Sequence, residues 1–298
     1  MKNAASIKDR LKNKSIATGK TIQELLTAYG LERTILRLSK SKYANNFTLK
    51  GGIFLYAVFD GDYSRTTTDI DLLAQKISND VEDMKAVFTE IFSLDVGDPL
   101  RYDLDSLDVR PITEFKEYHG INVSVVTYLY RTRIPISIDI GFGDVIVPER
   151  IMMDFPVILS DETPHIYAYS LCSSIAEKFE AIVSLAYDNS RFKDYYDLYM
   201  LMMTHDFAGE EMVEAVRETF GNRHSSLNEI AAFEDGFSDD SLRRRRWNAF
   251  VKKKRAMLPI TLQETIIMIQ KFMLPVVDAV KKDSKLEANW SHEKQDWL

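Results

Sequence analysis

The chain has 298 residues, of which 45% are hydrophobic and 28% charged, a mixture typical of a soluble globular protein with its own core. No apolar run is long enough to cross a membrane and none follows the lysines at the start, so we expect neither a membrane span nor a secretory signal, and a cytoplasmic location. The single cysteine, Cys172, excludes an internal disulfide, and the net charge of −7, if evenly spread, would argue mildly against a polyanionic partner.

The first half of the chain changes from helical to strand-like patterns. Residues 5–45 carry apolar side chains at helical spacing and predict two or three helices, with a break at Gly30. Short apolar runs then predict an extended piece over residues 47–50, a turn at Gly51–Gly52 and a helix over 53–59. The segments that follow are a strand over 69–74, a helix over 81–94, and strands over 108–115, 121–130 and 134–140, the last two joined as a hairpin.

Beyond Pro156 the strand pattern fades and helical periodicity takes over. The predicted helices cover residues 169–187, 195–203, 209–220, 242–254 and 262–280. The sequence therefore predicts an α+β fold, with a mixed β-sheet core, a helical N-terminal lead-in and a helical C-terminal half. We place one domain over residues 1–155 and a helical domain over 156–298.

Asp69 and Asp71 flank Ile70 on a predicted strand. Alternate side chains of a strand share a face, so the two carboxylates point the same way while Ile70 points into the core. A divalent cation such as Mg²⁺ would offset their repulsion. A solvated strand edge explains the same pair equally well.

A further acid, Asp139, lies on the predicted strand over residues 134–140, where isoleucines occupy the opposite face. If this strand neighbours the first, three carboxylates meet on one surface. They could hold two metal ions, or one metal ion beside a carboxylate that takes a proton from an attacking hydroxyl.

Lys50–Gly51–Gly52 leads directly into a predicted helix. Glycines at a helix start let a phosphate approach backbone N–H groups that have no partner within the helix. A tight turn is the simpler interpretation of the same residues.

Charged residues gather again near the junction of two later predicted helices. Lys178 lies beside an apolar stripe and could reach a phosphate, or form an ion pair with Glu177 or Glu180. On the next helix Asp194 and Asp197 share a face, and Arg191 precedes Asp194 by three residues. These charges could also cap and pair the helix.

Residues 243–255 contain eight Lys or Arg and no acid, which leaves a net charge of −15 on the rest of the chain. Arg243, Arg244, Arg245 and Arg246 could follow a nucleic-acid backbone while Trp247 stacks on a base. Trp247 and Phe250 also fit the core stripe of an ordinary helix with a basic outer face.

Taken together, these segments resemble the AbiEii family of nucleotidyltransferase toxins, which are relatives of the MenT toxins in the DNA-polymerase-β-like nucleotidyltransferase superfamily. The resemblance spans about residues 47–200. The residues that carry it are Lys50–Gly51–Gly52, Arg65, Thr66 to Asp71, 138–141 with 143–144, 176–178, 189–191, Lys193–Asp194 and 197–198. Gly52 departs from the superfamily pattern, which has a serine there, so backbone donors would have to hold the phosphate.

The resemblance implies a bacterial enzyme that transfers a nucleoside monophosphate from a nucleoside triphosphate to an acceptor hydroxyl, with Mg²⁺ or Mn²⁺. It implies that Asp69 and Asp71 bind the metal, with Asp139 as a third ligand, and that Lys178 contacts the nucleotide. Nucleotide-binding roles fall also on Lys50, Gly51, Gly52, Arg65 and Thr66. Asp194 is expected to be catalytic, with Arg191 and Asp197 as secondary candidates.

Related toxins modify the ends of transfer RNA, so the resemblance suggests an RNA acceptor, a role in phage defence and a cognate antitoxin protein. A nucleotidyltransferase acting on a small molecule such as an aminoglycoside would use the same acids without needing the basic segment. A non-catalytic regulator that binds nucleotide or protein, and a metal-dependent nuclease, are further alternatives.

Overall fold

The chain divides into two units. The structure is a computed structural model that describes residues 3–63, 67–112, 120–159, 162–253 and 260–298. A sheet unit comprises residues 1–143 and 151–168, and a helical unit comprises residues 144–150 and 169–298. The predicted boundary between residues 155 and 156 stays a prediction.

A mixed sheet forms the core of the sheet unit. Its strands, within the described residues, are β1 (Phe47–Lys50), β2 (Ile70–Ala74), β3 (Leu100–Ile112), β4 (Gly120–Leu129), β5 (Thr132–Phe142), β6 (Ile151–Asp154) and β7 (His165–Ala168). They lie in the order β3-β4-β5-β2-β1-β7-β6. β2 is parallel to β5 and β1 to β7, and the other neighbours are antiparallel.

Helices cover one face of this sheet. The sheet unit contains α1 (Ala4–Thr18), α2 (Ile22–Lys40), α3 (Gly51–Val58) and α4 (Val81–Ser93). Of these, α2 packs on β5, and α4 packs on β3 and β4. The predicted break at Gly30 is wrong, because α2 continues through it and the helices separate at Gly19, which has a left-handed φ of 68°. A Cβ at Gly30 would lie 2.9 Å from Ile134 Cγ2, so the glycine allows α2 to approach β5 closely.

The helical unit consists of α5 (Leu171–Leu185), α6 (Phe192–Thr204), α7 (Gly209–Asn222), α8 (Ser241–Lys253) and α9 (Leu262–Lys281). A small antiparallel sheet joins β8 (Phe207–Ala208), β9 (Asn289–Ser291) and β10 (Asp296–Trp297). In the described part of the chain, no helix is both long and apolar enough to span a membrane.

The predicted α+β class, with a mixed sheet between a helical lead-in and a helical C-terminal half, is confirmed. Differences lie at the edges of the elements. β3 begins at Leu100, well before the predicted position 108, because its first half lies at the sheet edge and carries charges on exposed positions. The predicted turn at Gly51–Gly52 is the first turn of α3, and β6 to β10 were not predicted.

Candidate functional site

Two neighbouring parallel strands bring three carboxylates together. Asp71 of β2 lies opposite Asp139 of β5, and Asp69 precedes Asp71 by two residues on the same side. The isoleucines beside them, Ile70 and Ile138, are buried. One oxygen from each of Asp69, Asp71 and Asp139 lies within 4.8 Å of the others, and all three residues are half-buried. We call these three residues the acidic cluster.

The acidic cluster offers only hard oxygen ligands. Three carboxylates at this separation repel one another, and a divalent cation among them would offset the repulsion. Carboxylate oxygens are the protein ligands that Mg²⁺, Mn²⁺ and Ca²⁺ prefer. The residues therefore fit a divalent metal site, in which the sheet register sets the spacing of Asp71 and Asp139 and Asp69 lies just before β2.

The start of α3 lies against this cluster. Lys50 is opposite Asp71 in the antiparallel pairing of β1 and β2. Gly51 follows with a φ of 65°, and a Cβ on it would lie 2.0 Å from Asp71 Oδ2. The Gly52 N–H donates a hydrogen bond to the same oxygen at 3.3 Å. The structure thus brings the predicted Lys-Gly-Gly segment to the acids, while Arg65 and Thr66 lie outside the described residues.

Asn122 is part of this surface and was not identified from the sequence. It lies on β4 opposite Asp139, and its Nδ2 donates to Asp139 Oδ1 at 2.6 Å and to Ser137 Oγ at 2.9 Å. The amide therefore orients the third carboxylate. The alternation of β4, in which Asn122 falls between the buried Ile121 and Val123, is the signal that could have revealed it.

In the helical unit, Lys178 of α5 is buried between two acids of α6. Its Nζ lies 2.7 Å from Asp197 Oδ2 and 3.5 Å from Asp194 Oδ1, and both aspartates are fully buried. Arg191 Nε lies 2.7 Å from Asp194 Oδ2. The two positive charges balance the two negative charges. Lys178 and both aspartates lie in a poorly solvated position, whereas the Arg191 side chain is 48% exposed. Of the two acids, Asp197 makes the closer contact with the lysine.

Glu177 and Glu180 bind a different cation, Arg223, which sequence reasoning missed. Arg223 Nη2 lies 3.2 Å from Glu177 Oε1 and 2.9 Å from Asp144 Oδ1, while Nη1 donates to Glu180 Oε2 at 2.9 Å. Burial alone would lower the pKa of Arg223, but these acids raise it. The alternative in which Lys178 pairs with Glu177 or Glu180 is therefore wrong.

The basic helix α8 divides its residues between the core and the surface. Trp247 is 0% exposed, packs edge-on against Phe192 and donates its indole N–H to the Ile260 carbonyl. It offers no face to a base, so its predicted stacking role is corrected in favour of the core stripe. Arg243 lies 3.9 Å above the Phe237 ring and donates to backbone carbonyls. The exposed cations of α8 include Arg244, Arg245 and Arg246.

Comparison with known proteins gives one family match. The model of the family described as "Nucleotidyl transferase AbiEii toxin, Type IV TA system" matches residues 33–268. Among curated proteins, none matches the chain.

Two solved structures from Helicobacter pylori are similar at low identity. JHP933 is 14% identical, with 85% of this chain and 92% of that chain covered and a TM-score of 0.43. A second H. pylori protein, described as a candidate nucleotidyltransferase, is also 14% identical, with 86% and 95% covered and a TM-score of 0.45.

Proposed function

Because the chain belongs to the AbiEii family of nucleotidyl transferase toxins in type IV toxin–antitoxin systems, we propose that it transfers a nucleoside monophosphate from a nucleoside triphosphate to an RNA hydroxyl. Transfer RNA is the acceptor we favour. The family implies a nucleotide substrate and an antitoxin partner. In the cell, we propose that this transfer makes the protein a toxin that acts in phage defence.

One observation carries the proposal: the carboxylates of Asp69, Asp71 and Asp139 converge beside the Gly51–Gly52 helix start. Asp69 and Asp71 would hold Mg²⁺ or Mn²⁺, with Asp139 as a third ligand or as the base that accepts the proton of the attacking hydroxyl. Such a metal ion supplies positive charge that stabilises the charge developing on the transferred phosphate.

The chain's own residues would place the reactants. The N–H groups at the start of α3, apart from that of Gly52, which donates to Asp71, would provide donors for the triphosphate, and the Lys50 side chain would provide positive charge. Asn122 holds Asp139 in one orientation through its 2.6 Å hydrogen bond. We extend the nucleotide-binding role to Lys178, Arg65 and Thr66. We also propose that one acid of α6, Asp194 or Asp197, is required for activity.

The proposal is tested by incubating the purified protein with Mg²⁺, total bacterial RNA and each α-labelled nucleoside triphosphate in turn. We expect label in RNA with at least one nucleotide, and no label when Asp69 and Asp71 are both replaced by Asn. Glu82→Gln with Asp83→Asn, which neutralises two exposed acids of α4, is the matched control.

The other outcomes distinguish the alternatives. Label in an added aminoglycoside but in no RNA would move the acceptor to a small molecule. Shortened RNA without label would indicate a nuclease. Toxicity in cells that survives the Asp69 and Asp71 substitutions would favour a non-catalytic regulator over an enzyme.

A further inference from the structure

One face of the sheet extends from the acidic cluster to the turn between β4 and β5. Asp139 lies opposite Asn122, and six residues earlier on β5 Arg133 lies opposite Tyr128. Residues two apart on a strand, and residues directly opposite across strands, share a face. Asp139, Asn122, Arg133 and Tyr128 therefore lie on the same side of the sheet, opposite the side that packs on α2 and α4.

Arginine and tyrosine side chains gather at the far end of this face. Arg101 of β3 lies opposite Tyr128, with its guanidinium carbon 4.7 Å from the centre of the ring. At the turn, Arg131 lies 5.3 Å from the ring of Tyr130, which is 70% exposed. Arg101, Arg131 and Arg133 are exposed as well. We call these five residues, Arg101, Tyr128, Tyr130, Arg131 and Arg133, the hairpin cluster.

Residues 121–135 of the β4–β5 hairpin, which form β4, the turn and the start of β5, contain no Asp or Glu. Asp103, two residues after Arg101 on β3, is the acid nearest in sequence to the hairpin cluster. In the described part of the chain, none of its three arginines forms an ion pair, whereas Arg110 at the other end of β3 pairs with Asp108. Exposed arginines stacked on tyrosines present both positive charge and flat surfaces for bases.

We propose that the hairpin cluster binds the single-stranded acceptor RNA upstream of its reacting end, an inference that rests on the proposed function. A strand rises about 3.4 Å per residue, so Arg133 and Asp139 are separated by about 20 Å along β5. A stacked nucleic-acid strand advances about 3.4 Å per nucleotide, so this separation corresponds to about six nucleotides. The hydroxyl end lies at the acidic cluster while the backbone several nucleotides away contacts the arginines.

Charge favours RNA as the occupant of this face. The acidic cluster repels a polyanion wherever no cation intervenes, so the energy that retains the strand must come from elsewhere on the surface. Arginine planes and tyrosine rings stack on bases of any sequence, and each stacked base contributes enough to change affinity at least fivefold. A protein partner on the same face is the alternative that the experiment must separate.

The test compares transfer to RNA acceptors of two lengths, about three and about twelve nucleotides. One variant is the double substitution Arg101→Glu and Arg133→Glu. The other is Tyr128→Ser, for which Tyr128→Phe, a separate variant, is the conservative comparison. The matched control is Lys85→Glu, which reverses an exposed charge on α4, the helix that packs on the opposite face of the sheet. We expect the KM for the long acceptor to rise at least fivefold in the Glu and Ser variants, with kcat and the short acceptor unchanged.

Equal KM values for wild type and variants with the long acceptor would overturn the inference. Equal losses of transfer with the long and the short acceptor would also overturn it, because they indicate a folding defect. Unchanged RNA transfer with lost binding of the antitoxin would assign the face to a protein. If the wild type transfers no label, the proposed function fails. In that case, fluorescence anisotropy measures the affinity for the long RNA and tests the inference separately. Equal affinities in the wild type and the variants would overturn the inference.

Discussion

Gly51 combines a left-handed backbone with close contact to a carboxylate, and the two constraints can be separated. Its φ is 65°, and a Cβ would lie 2.0 Å from Asp71 Oδ2. We expect Gly51→Ala to displace Asp71 and to reduce nucleotidyl transfer at least tenfold, on the order of the loss that follows misplacement of a reacting group. Labelled-nucleotide transfer measures the activity, and thermal denaturation measures the stability.

Gly97→Ala is the matched control. Gly97 has a φ of 71° and no atom within 4 Å of a Cβ placed there. Both alanine variants carry the cost of a left-handed non-glycine residue, about 1–2 kcal/mol. If Gly97→Ala lost activity as severely as Gly51→Ala, backbone strain and not the contact with Asp71 would explain the effect.

Substitution of Asn122 tests whether the orientation of Asp139 matters for the reaction. Asn122→Ala removes the 2.6 Å hydrogen bond to Asp139 Oδ1 and leaves the strand alternation intact. Partners of metal-binding groups typically contribute about 10-fold to 100-fold in metal affinity or activity. We therefore expect transfer to require about tenfold more Mg²⁺ for half-maximal rate. Ser124→Ala, on the same face of β4, should leave the Mg²⁺ requirement unchanged.

At the scale of elements, the contact between α5 and α6 places Lys178 between two buried acids. Removing one member of a buried charge pair costs about 3–5 kcal/mol, because the other charge stays unpaired. We expect Lys178→Met to lower the free energy of unfolding by about this amount. Combining it with Asp197→Asn should recover most of the loss, and the shorter contact predicts stronger coupling to Asp197 than to Asp194.

The double variant also separates a phosphate-binding lysine from a structural one. If Lys178 contacts the nucleotide, the stable double variant folds but transfers less label than Asp197→Asn alone, a comparison that removes any contribution of Asp197 itself. Activity that returns together with stability would contradict the predicted nucleotide contact. Chemical denaturation followed by tryptophan fluorescence suits this measurement, since Trp247, Trp290 and Trp297 all belong to the helical unit.

Another buried ion pair joins α2 to the segment before β3 and predicts a pH dependence. Asp98 Oδ2 lies 2.8 Å from both Arg33 Nε and Arg37 Nη1. Burial alone would raise the pKa of Asp98, but hydrogen bonds and charge from the two arginines lower it overall. A carboxyl with a lowered folded-state pKa stabilises the fold above its unfolded pKa of about 3.9, and the contribution is lost as pH falls below that value.

We therefore expect Asp98→Asn to lower the free energy of unfolding by about 3–5 kcal/mol at neutral pH. The difference from wild type should shrink as the pH falls below about 4. Urea denaturation followed by circular dichroism at several pH values measures it. Asp105→Asn, which changes an exposed acid of β3, should show little difference at any pH, and a constant deficit for Asp98→Asn would contradict the assignment.

Local patterns predicted those features that neighbouring residues determine. Alternation placed Asp139 on the polar face of its strand, and helical spacing located α4 to within a residue or two of each end. The sequence alone left open whether β2 and β5 are neighbours, because strand order depends on contacts between distant segments. It also missed Arg223, whose acidic partners come from two distant segments, Asp144 and the α5 residues Glu177 and Glu180.

At the scale of the whole molecule, charge is distributed unevenly. The chain carries a net charge of −7, while α8 presents Arg244, Arg245 and Arg246 to solvent in a segment without acids. With Trp247 in the core, α8 can contribute charge to RNA binding but not tryptophan stacking. Its contribution should therefore appear in the salt dependence of binding rather than in base preference.

Replacing Arg244, Arg245 and Arg246 by Ala tests this contribution. Each phosphate contact on a single strand adds about 0.7 to the slope of log affinity against log salt, so loss of three contacts should reduce the slope by about 2. Anisotropy titrations of labelled single-stranded RNA over a range of KCl concentrations measure it. Lys281, Lys282 and Lys285 replaced together by Ala remove the same charge from an exposed part of the same unit. An α8 variant whose slope equals that of this control would remove α8 from the RNA-binding surface, because the effect would then follow from net charge alone.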